Sequence, residues 1–268
     1  YHYDLGNNFY SLWLDESMTY SSAVFASDDM DLTAAQQLKY AKLAQLADIQ
    51  PGDRVLEIGC GWGGFAEYAA RTLNAHVTGI TISRAQYDYA TQRLKDAHLA
   101  DQTDIQLKDY RDVDQKFDKI VSIEMFEAVG ETYWSAYFST LSNCLRPGGK
   151  AALQVITIAD EIFQIYKAQP DFIQRYIFPG GMLPSMTALA PPLQQAGLTL
   201  VSETGYAKDY ARTLAVWKQQ FHDAWPNIAK TSRFDERFKL MWELYLSYCE
   251  GGFKAGNIDV KQMLITHN

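Results

Sequence analysis

Glu57-Ile58-Gly59-Cys60-Gly61-Trp62-Gly63-Gly64 is the stretch that decides the fold. The short apolar run Arg54–Ile58 leads into it as a strand, and Phe65, Tyr68, Ala69 and Thr72 mark a helix directly after it. Glycines there allow a tight turn and close backbone approach to a ligand. The helix start offers unpaired N–H groups. Upstream, residues 34–48 predict a helix with Tyr40, Leu43, Ala44 and Ala47 on one face, and Pro51-Gly52-Asp53 turns the chain. Downstream, His76–Thr81 reads as a second strand, and Tyr87, Ala90, Leu94 and Ala97 mark a second helix. Strands at 105–107 and 119–123, a helix near 131–145, a turn at Pro147-Gly148-Gly149 and a fifth strand at 151–158 continue the alternation. That order implies an α/β fold, a parallel sheet with helices on both faces.

After the fifth strand the pattern breaks. Residues 160–187 carry Pro170, Phe172, Tyr176, Phe178, Pro179-Gly180-Gly181 and Pro184, too aromatic and punctuated for a plain crossover. They read as a lid or substrate-side insertion. A helix from 187, a strand at 198–203, helices at 208–225 and 232–250, and a last antiparallel strand at 262–266 follow. Residues 1–30 form an aromatic, loop-rich lead-in to one domain spanning 31–268.

Composition narrows the function classes. With 24 Lys and Arg against 32 Asp and Glu, the net charge over 268 residues is −8. That lacks the electrostatic footprint of a non-specific nucleic-acid binder. Cys60, Cys144 and Cys249 are too widely spaced for a disulfide framework, which fits a reducing compartment. No apolar run approaches the roughly 20 residues of a membrane span. No secretory leader opens the chain, and Tyr1-His2-Tyr3-Asp4 reads as the interior of something longer. His76, His98, His222 and His267 show no metal-ligand spacing, so no metal is expected. No G-x-S-x-G elbow supports a hydrolase. The 17 Tyr, 13 Phe and 6 Trp fill a core or line a pocket for an apolar or cationic ligand.

Two ligands compete for the glycine loop. Gly59, Gly61 and Gly64 satisfy the G-x-G-x-x-G of nicotinamide sites, which would make the chain an NAD-dependent oxidoreductase. That site wants an acid about 20 residues on, and Gly79-Ile80-Thr81-Ile82-Ser83 supplies none. Glu57, Gly59, Gly61 and Gly63 also fit E-x-G-x-G-x-G, the form typical of class I methyltransferases that bind S-adenosylmethionine.

Further ordered segments carry a resemblance. Tyr1 through Tyr10, Met18-Thr19-Tyr20-Ser21-Ser22-Ala23, Val77 through Ser83 with Gln86, Asp109-Tyr110-Arg111-Asp112, Ser122 through Gly130, Tyr176 through Ser185 and Asp209 through Leu214 resemble the cyclopropane fatty acid and mycolic acid cyclopropane synthases. The resemblance runs along essentially the whole chain. It implies a Rossmann-like class I methyltransferase, with a mostly parallel seven-stranded sheet, helices on both faces and an inserted helical lid. Its implied activity is C-methylation of the double bond in unsaturated, phospholipid-bound acyl chains. A methylene or methyl-branched product is the alternative to a cyclopropane. A non-catalytic lipid-binding module is disfavoured by Glu127 and Tyr210, which a pure binder does not need. The resemblance further implies a cytoplasmic protein, transiently peripheral to the inner face of the membrane; a homodimer is left open.

Carried over residue by residue, Tyr20, Ser21, Gly59, Gly61, Thr81, Gln86 and Ile123 line the S-adenosylmethionine site, with Tyr110 near the adenine. His2, Tyr3, Phe178 and Tyr206 fall to the substrate pocket. In this family a bound bicarbonate is thought to remove the proton after methyl transfer. Glu127 and Tyr210 match its glutamate and tyrosine, and Ser22, Ile123 and Ile156 match backbone or wall of the same pocket. Four departures bear on this. Gln154 replaces the bicarbonate-binding histidine and cannot carry charge or shuttle a proton. Ser22 and Ala128 stand for a cysteine and a histidine. Glu124 stands where glycine or another small residue is usual, and offers a second carboxylate as a base without bicarbonate. Methyl transfer survives these changes, while bicarbonate and ring closure are left open.

Overall fold

The computed structural model describes residues 5–231 and 233–268. In chain order its elements are Asn7–Tyr10 (α1), Leu32–Ala47 (α2), Arg54–Ile58 (β1), Gly64–Leu73 (α3), His76–Thr81 (β2), Arg84–Asp96 (α4), Thr103–Leu107 (β3), Phe117–Ile123 (β4), Trp134–Cys144 (α5), Leu145–Ile158 (β5), Asp160–Ala168 (α6), Met186–Gln195 (α7), Leu198–Gly205 (β6), Ala207–Ile228 (α8), Glu236–Lys254 (α9) and Ile258–His267 (β7). The sheet order is β3-β2-β1-β4-β5-β7-β6. Strands β3 to β5 pair in parallel, and β7 runs antiparallel to β5 and β6. This is the Rossmann-like methyltransferase sheet. Strand order reverses between β1 and β4, and such a switch point opens a crevice at the carboxyl ends of the strands.

Alternation along the strands builds two cores. Val55, Val77, Val121 and Ala152 face Tyr40 and Leu43 of α2 and Phe65 of α3. Leu56, Ile120, Leu153 and Val155 face the other way, against Trp134 and Phe138 of α5 and Leu189 of α7. The period of two places neighbours on opposite faces. Helix starts follow their caps: Asp31, Ser83 and Asp235 accept the N–H groups of Ala34, Gln86 and Phe238. The cap at Asp235 starts α9 at Glu236, four residues later than the sequence pattern suggested.

Two expectations need adjustment. Pro147-Gly148-Gly149 does not separate a helix from a fresh strand; β5 begins at Leu145 and the pairing register with β4 shifts between Phe117 and Lys119. Gly148, at φ +75°, lets the intervening residues bulge without ending the strand. The aromatic excess is mostly a third core. Phe9, Tyr10 and Trp13 pack edge-on against Trp217, Phe221 and Trp242, with ring centroids 5.0 to 6.4 Å apart. Such pairs contribute about 0.5–1.5 kcal/mol each beyond area burial. They fasten the N-terminal segment to α8 and α9, over the crevice.

Candidate active site

A cavity of about 570 Å³ opens at the carboxyl ends of β1, β2 and β4. That volume suits a cofactor-sized ligand. Gly59, Gly61 and Gly63 have φ of +81°, +53° and +81°, in the left-handed region that glycine enters freely. A Cβ on Gly59 would stand 2.7 Å from Met125 Cγ, whereas one on Gly61 would enter open space on the cavity wall. Gly63 gives α3 no side-chain cap, so the helix start can address a ligand with backbone N–H groups. Tyr20, Ser21, Gly59, Gly61, Thr81, Gln86, Tyr110 and Ile123 all lie on this wall. Thr81 Oγ1 donates to Gln86 Oε1 at 2.9 Å, which ties the end of β2 to the first turn of α4. Beneath the loop, Glu57 is buried, and its Oε2 has no partner among the described residues. Burial raises its carboxyl to about 8, against the pull of Lys39.

A second cavity, of about 820 Å³, lies beside the first. Much of its wall is apolar: Ile156 and Ile158 of β5, Ile162 of α6, Ile173 and Ile177 of a π-helical turn (Ile173–Ile177), and Leu214 of α8. Residues of the 160–187 insertion make much of it, and Phe178 is among them. Tyr206, also expected here, lines neither cavity. It precedes α8, where its N–H donates to Val260 O at 2.8 Å and its ring lies under Lys42 Nζ. His2 and Tyr3 lie outside the described residues. The sequence reading missed the contribution of α9, which adds Tyr245, Tyr248, Cys249 and Phe253.

Tyr20, Glu124 and Ala128 belong to both cavities, so the two meet there. Glu124 follows β4 at φ +48° and receives three donors. Ser22 N–H and Gln154 Nε2 each reach Oε1 at 2.8 Å, and Tyr210 OH reaches Oε2 at 2.7 Å. Burial raises the Glu124 carboxyl, while Tyr210 and Gln154 pull it back. Glu127, in the one-turn 3-10 helix Phe126–Ala128, accepts Ile156 N–H, and its second oxygen is buried without a partner among the described residues. Burial and then the Glu124 charge push Glu127 up to about 8. Of the residues expected around a bound anion, Ser22, Gln154 and Tyr210 converge on the Glu124 carboxylate, Ile156 pairs with Glu127, and Ile123 stays on the cofactor side.

Two buried polar residues behind the junction also escaped the sequence reading. Lys39 Nζ donates to Ser21 Oγ and Gln36 Oε1, both at 2.7 Å, and burial lowers its ammonium to about 7 against attraction from Glu124. Gln262 Nε2 donates to Gln154 Oε1 at 3.0 Å. A signal existed for Lys39: it lies four residues before Leu43 on the apolar face of α2.

Comparison with known proteins agrees with this architecture. The profile of the family described as mycolic acid cyclopropane synthetase matches residues 1–263. The chain is 42% identical over 271 residues to a tuberculostearic acid methyltransferase of Mycobacterium tuberculosis, covering 97% of this chain and 62% of that protein. It is 37% identical to the cyclopropane-fatty-acyl-phospholipid synthase of Escherichia coli, covering 99% of this chain and 66% of that one. The chain therefore spans roughly two thirds of the length of these relatives. The mycolic acid cyclopropane synthase CmaA1, solved with SAH and CTAB, superposes with a TM-score of 0.91 at 31% identity, over 98% of this chain and 95% of that one.

Proposed function

The chain belongs to the mycolic acid cyclopropane synthetase family, and from that premise we propose that it is an S-adenosylmethionine-dependent C-methyltransferase acting on the double bond of unsaturated, phospholipid-bound acyl chains. One observation carries this reading. A cofactor-sized cavity on a glycine loop meets a larger, mostly apolar cavity at a point that two partly buried carboxylates and a tyrosine surround. The cofactor wall fits the ligand. Gly61 leaves room that a side chain would fill, and Glu57 Oε2 offers an unused acceptor to its ammonium group.

Bound there, S-adenosylmethionine supplies a methyl group on a cationic sulfur, which the alkene π pair takes while the methyl–sulfur pair stays with sulfur. The chain's residues do the rest. Gly59, Gly61 and the start of α3 position the donor through backbone. The isoleucines of β5, α6 and the π-helical turn hold the acyl chain and exclude water. Tyr20, at the junction, presents an aromatic ring where positive charge develops. A carboxylate takes the proton that leaves.

A methyl- or methylene-branched product is the second reading, favoured by the 42% identity to a tuberculostearic acid methyltransferase. Both readings share the first transfer. The lipid end of the reading rests on the cavity mouth. Ile165 and Tyr248 line the cavity while remaining 62% and 48% exposed, and Tyr176, which packs on Phe172 as Tyr248 does, is 63% exposed. An apolar rim of this kind suits transient contact with the inner face of a membrane. Among the described residues no helix is long and apolar enough to cross one. The test is calorimetric: the purified chain binds S-adenosylhomocysteine, and NAD gives no heat. The reverse pattern refutes the cofactor assignment.

A further inference from the structure

The donors that the family resemblance assigns to a bicarbonate are already committed within the chain. Ser22 N–H, Gln154 Nε2 and Tyr210 OH end on the two oxygens of Glu124, and Ile156 N–H ends on Glu127. Gln154 is held in this orientation. Gln262 Nε2 donates to its Oε1, and its own Nε2 also reaches Ser22 O at 3.2 Å. Its amide therefore directs N–H groups toward the carboxylate, and an amide gives hydrogen bonds to an anion without taking its proton. A bicarbonate here would have to displace Glu124 from three donors, or lie beside a like charge without them.

Resting on the methyl-transfer reading above, we propose that Glu124 occupies this anion pocket as a built-in carboxylate base, so that the reaction of this chain uses no bicarbonate. The backbone points the same way. Glu124 has φ +48°, a conformation that glycine adopts without strain and glutamate does not. A side chain kept at a strained position and fixed by three donors is a candidate for function. Glu124 also lines both cavities, facing the place where the methylated carbon must lie. In the base step a C–H bond of the transferred methyl group breaks. Its electron pair closes a carbon–carbon bond onto the electron-poor neighbouring carbon, and the proton passes to a Glu124 oxygen. Glu127 is differently placed: it shares none of the three donors, and burial beside the Glu124 charge favours its protonated form.

Two readouts test this. The first needs no turnover: isotope-labelled bicarbonate is titrated into the S-adenosylhomocysteine complex and followed by NMR. Wild type shows no binding, and Glu124→Gly, which empties the pocket and relieves the backbone, binds it. The second is turnover in bicarbonate-stripped buffer. Wild type runs at full rate, while Glu124→Gly falls about 100-fold and recovers when bicarbonate is restored. Glu124→Gln, which keeps the shape of the side chain, falls as far and does not recover. Unchanged affinity for S-adenosylhomocysteine in both variants shows that they are folded. A wild type that binds bicarbonate, or that stops without it and is rescued by it, overturns the proposal. A wild type with the expected binding pattern but no methylation of any lipid refutes the methyl-transfer reading and leaves the occupancy of the pocket standing, so the two fail separately.

Discussion

The cofactor cavity takes much of its wall from short stretches at three strand ends, 57–65, 80–86 and 123–130, and its key positions are backbone positions. The acyl cavity draws on residues from 156 to 183 and from 245 to 258, and its walls are side chains brought together by packing. The contrast separates two kinds of tolerance. Where backbone shapes the site, one Cβ can close it. Where packed side chains shape it, volume decides which ligand fits. The junction belongs to neither kind, because there hydrogen bonds place charge.

The largest effect should come from the backbone side. Gly61→Val places a branched side chain in the ligand's space, a clash of about 3 kcal/mol on binding. The affinity for S-adenosylhomocysteine then falls about 150-fold, while binding of an acyl chain is kept. Equal loss of both would break the separation of the two cavities. At the junction, Glu124→Gln lowers kcat about 100-fold and leaves S-adenosylhomocysteine binding within about twofold of wild type, read by single-turnover kinetics against calorimetry. On the packed side, Ile162→Trp fills part of the acyl cavity. It lowers kcat/KM for long chains about tenfold and spares shorter ones; a uniform loss across chain lengths would count against the placement. Tyr210→Phe removes one hydroxyl hydrogen bond and keeps the ring, so its loss is about fivefold.

The smallest effect is on stability. Glu127 stands near 8 in the folded chain against an ordinary 4.5. The folded state therefore keeps a proton that the unfolded state has already lost. The favourable contribution is complete below 4.5 and disappears as pH rises through about 8. Glu57 acts in the same sense. Lys39 acts in the opposite sense, its penalty fading as pH rises from about 7 toward 10.5. Glu127→Gln should therefore flatten the fall in Tm between pH 4.5 and about 8, and a mutant whose fall there is as steep as wild type would remove Glu127 from that balance.

The same contrast explains what could be read from sequence. The glycine loop is contiguous, and its flanking periods of two and of about 3.6 are undisturbed, so β1, α3 and the crevice followed from residues 54–72. Thr81, Gln86 and Tyr110 are separated in sequence, and only ordered motifs brought them to the site. Tyr245 and Phe253 look like any buried face of a helix, since apolar periodicity does not distinguish a core from a cavity wall. Tyr206 was misplaced because the turn before α8 directs its backbone to Val260 at the edge of β7, away from the acyl cavity. Glu124 was visible as an odd residue in a familiar motif. That Ser22, Gln154 and Tyr210, which the resemblance groups around a bound anion, end on Glu124 instead appears only in the tertiary fold.

Incubation of the purified chain with unsaturated phospholipid and methyl-labelled S-adenosylmethionine, followed by fragmentation mass spectrometry of the released fatty acids, tests the central claim most directly. The account predicts one labelled carbon per modified chain, attached at the former double bond as a cyclopropane, methylene or methyl branch. Label found in the head group, on a heteroatom, or absent from acyl chains while S-adenosylhomocysteine accumulates would contradict it.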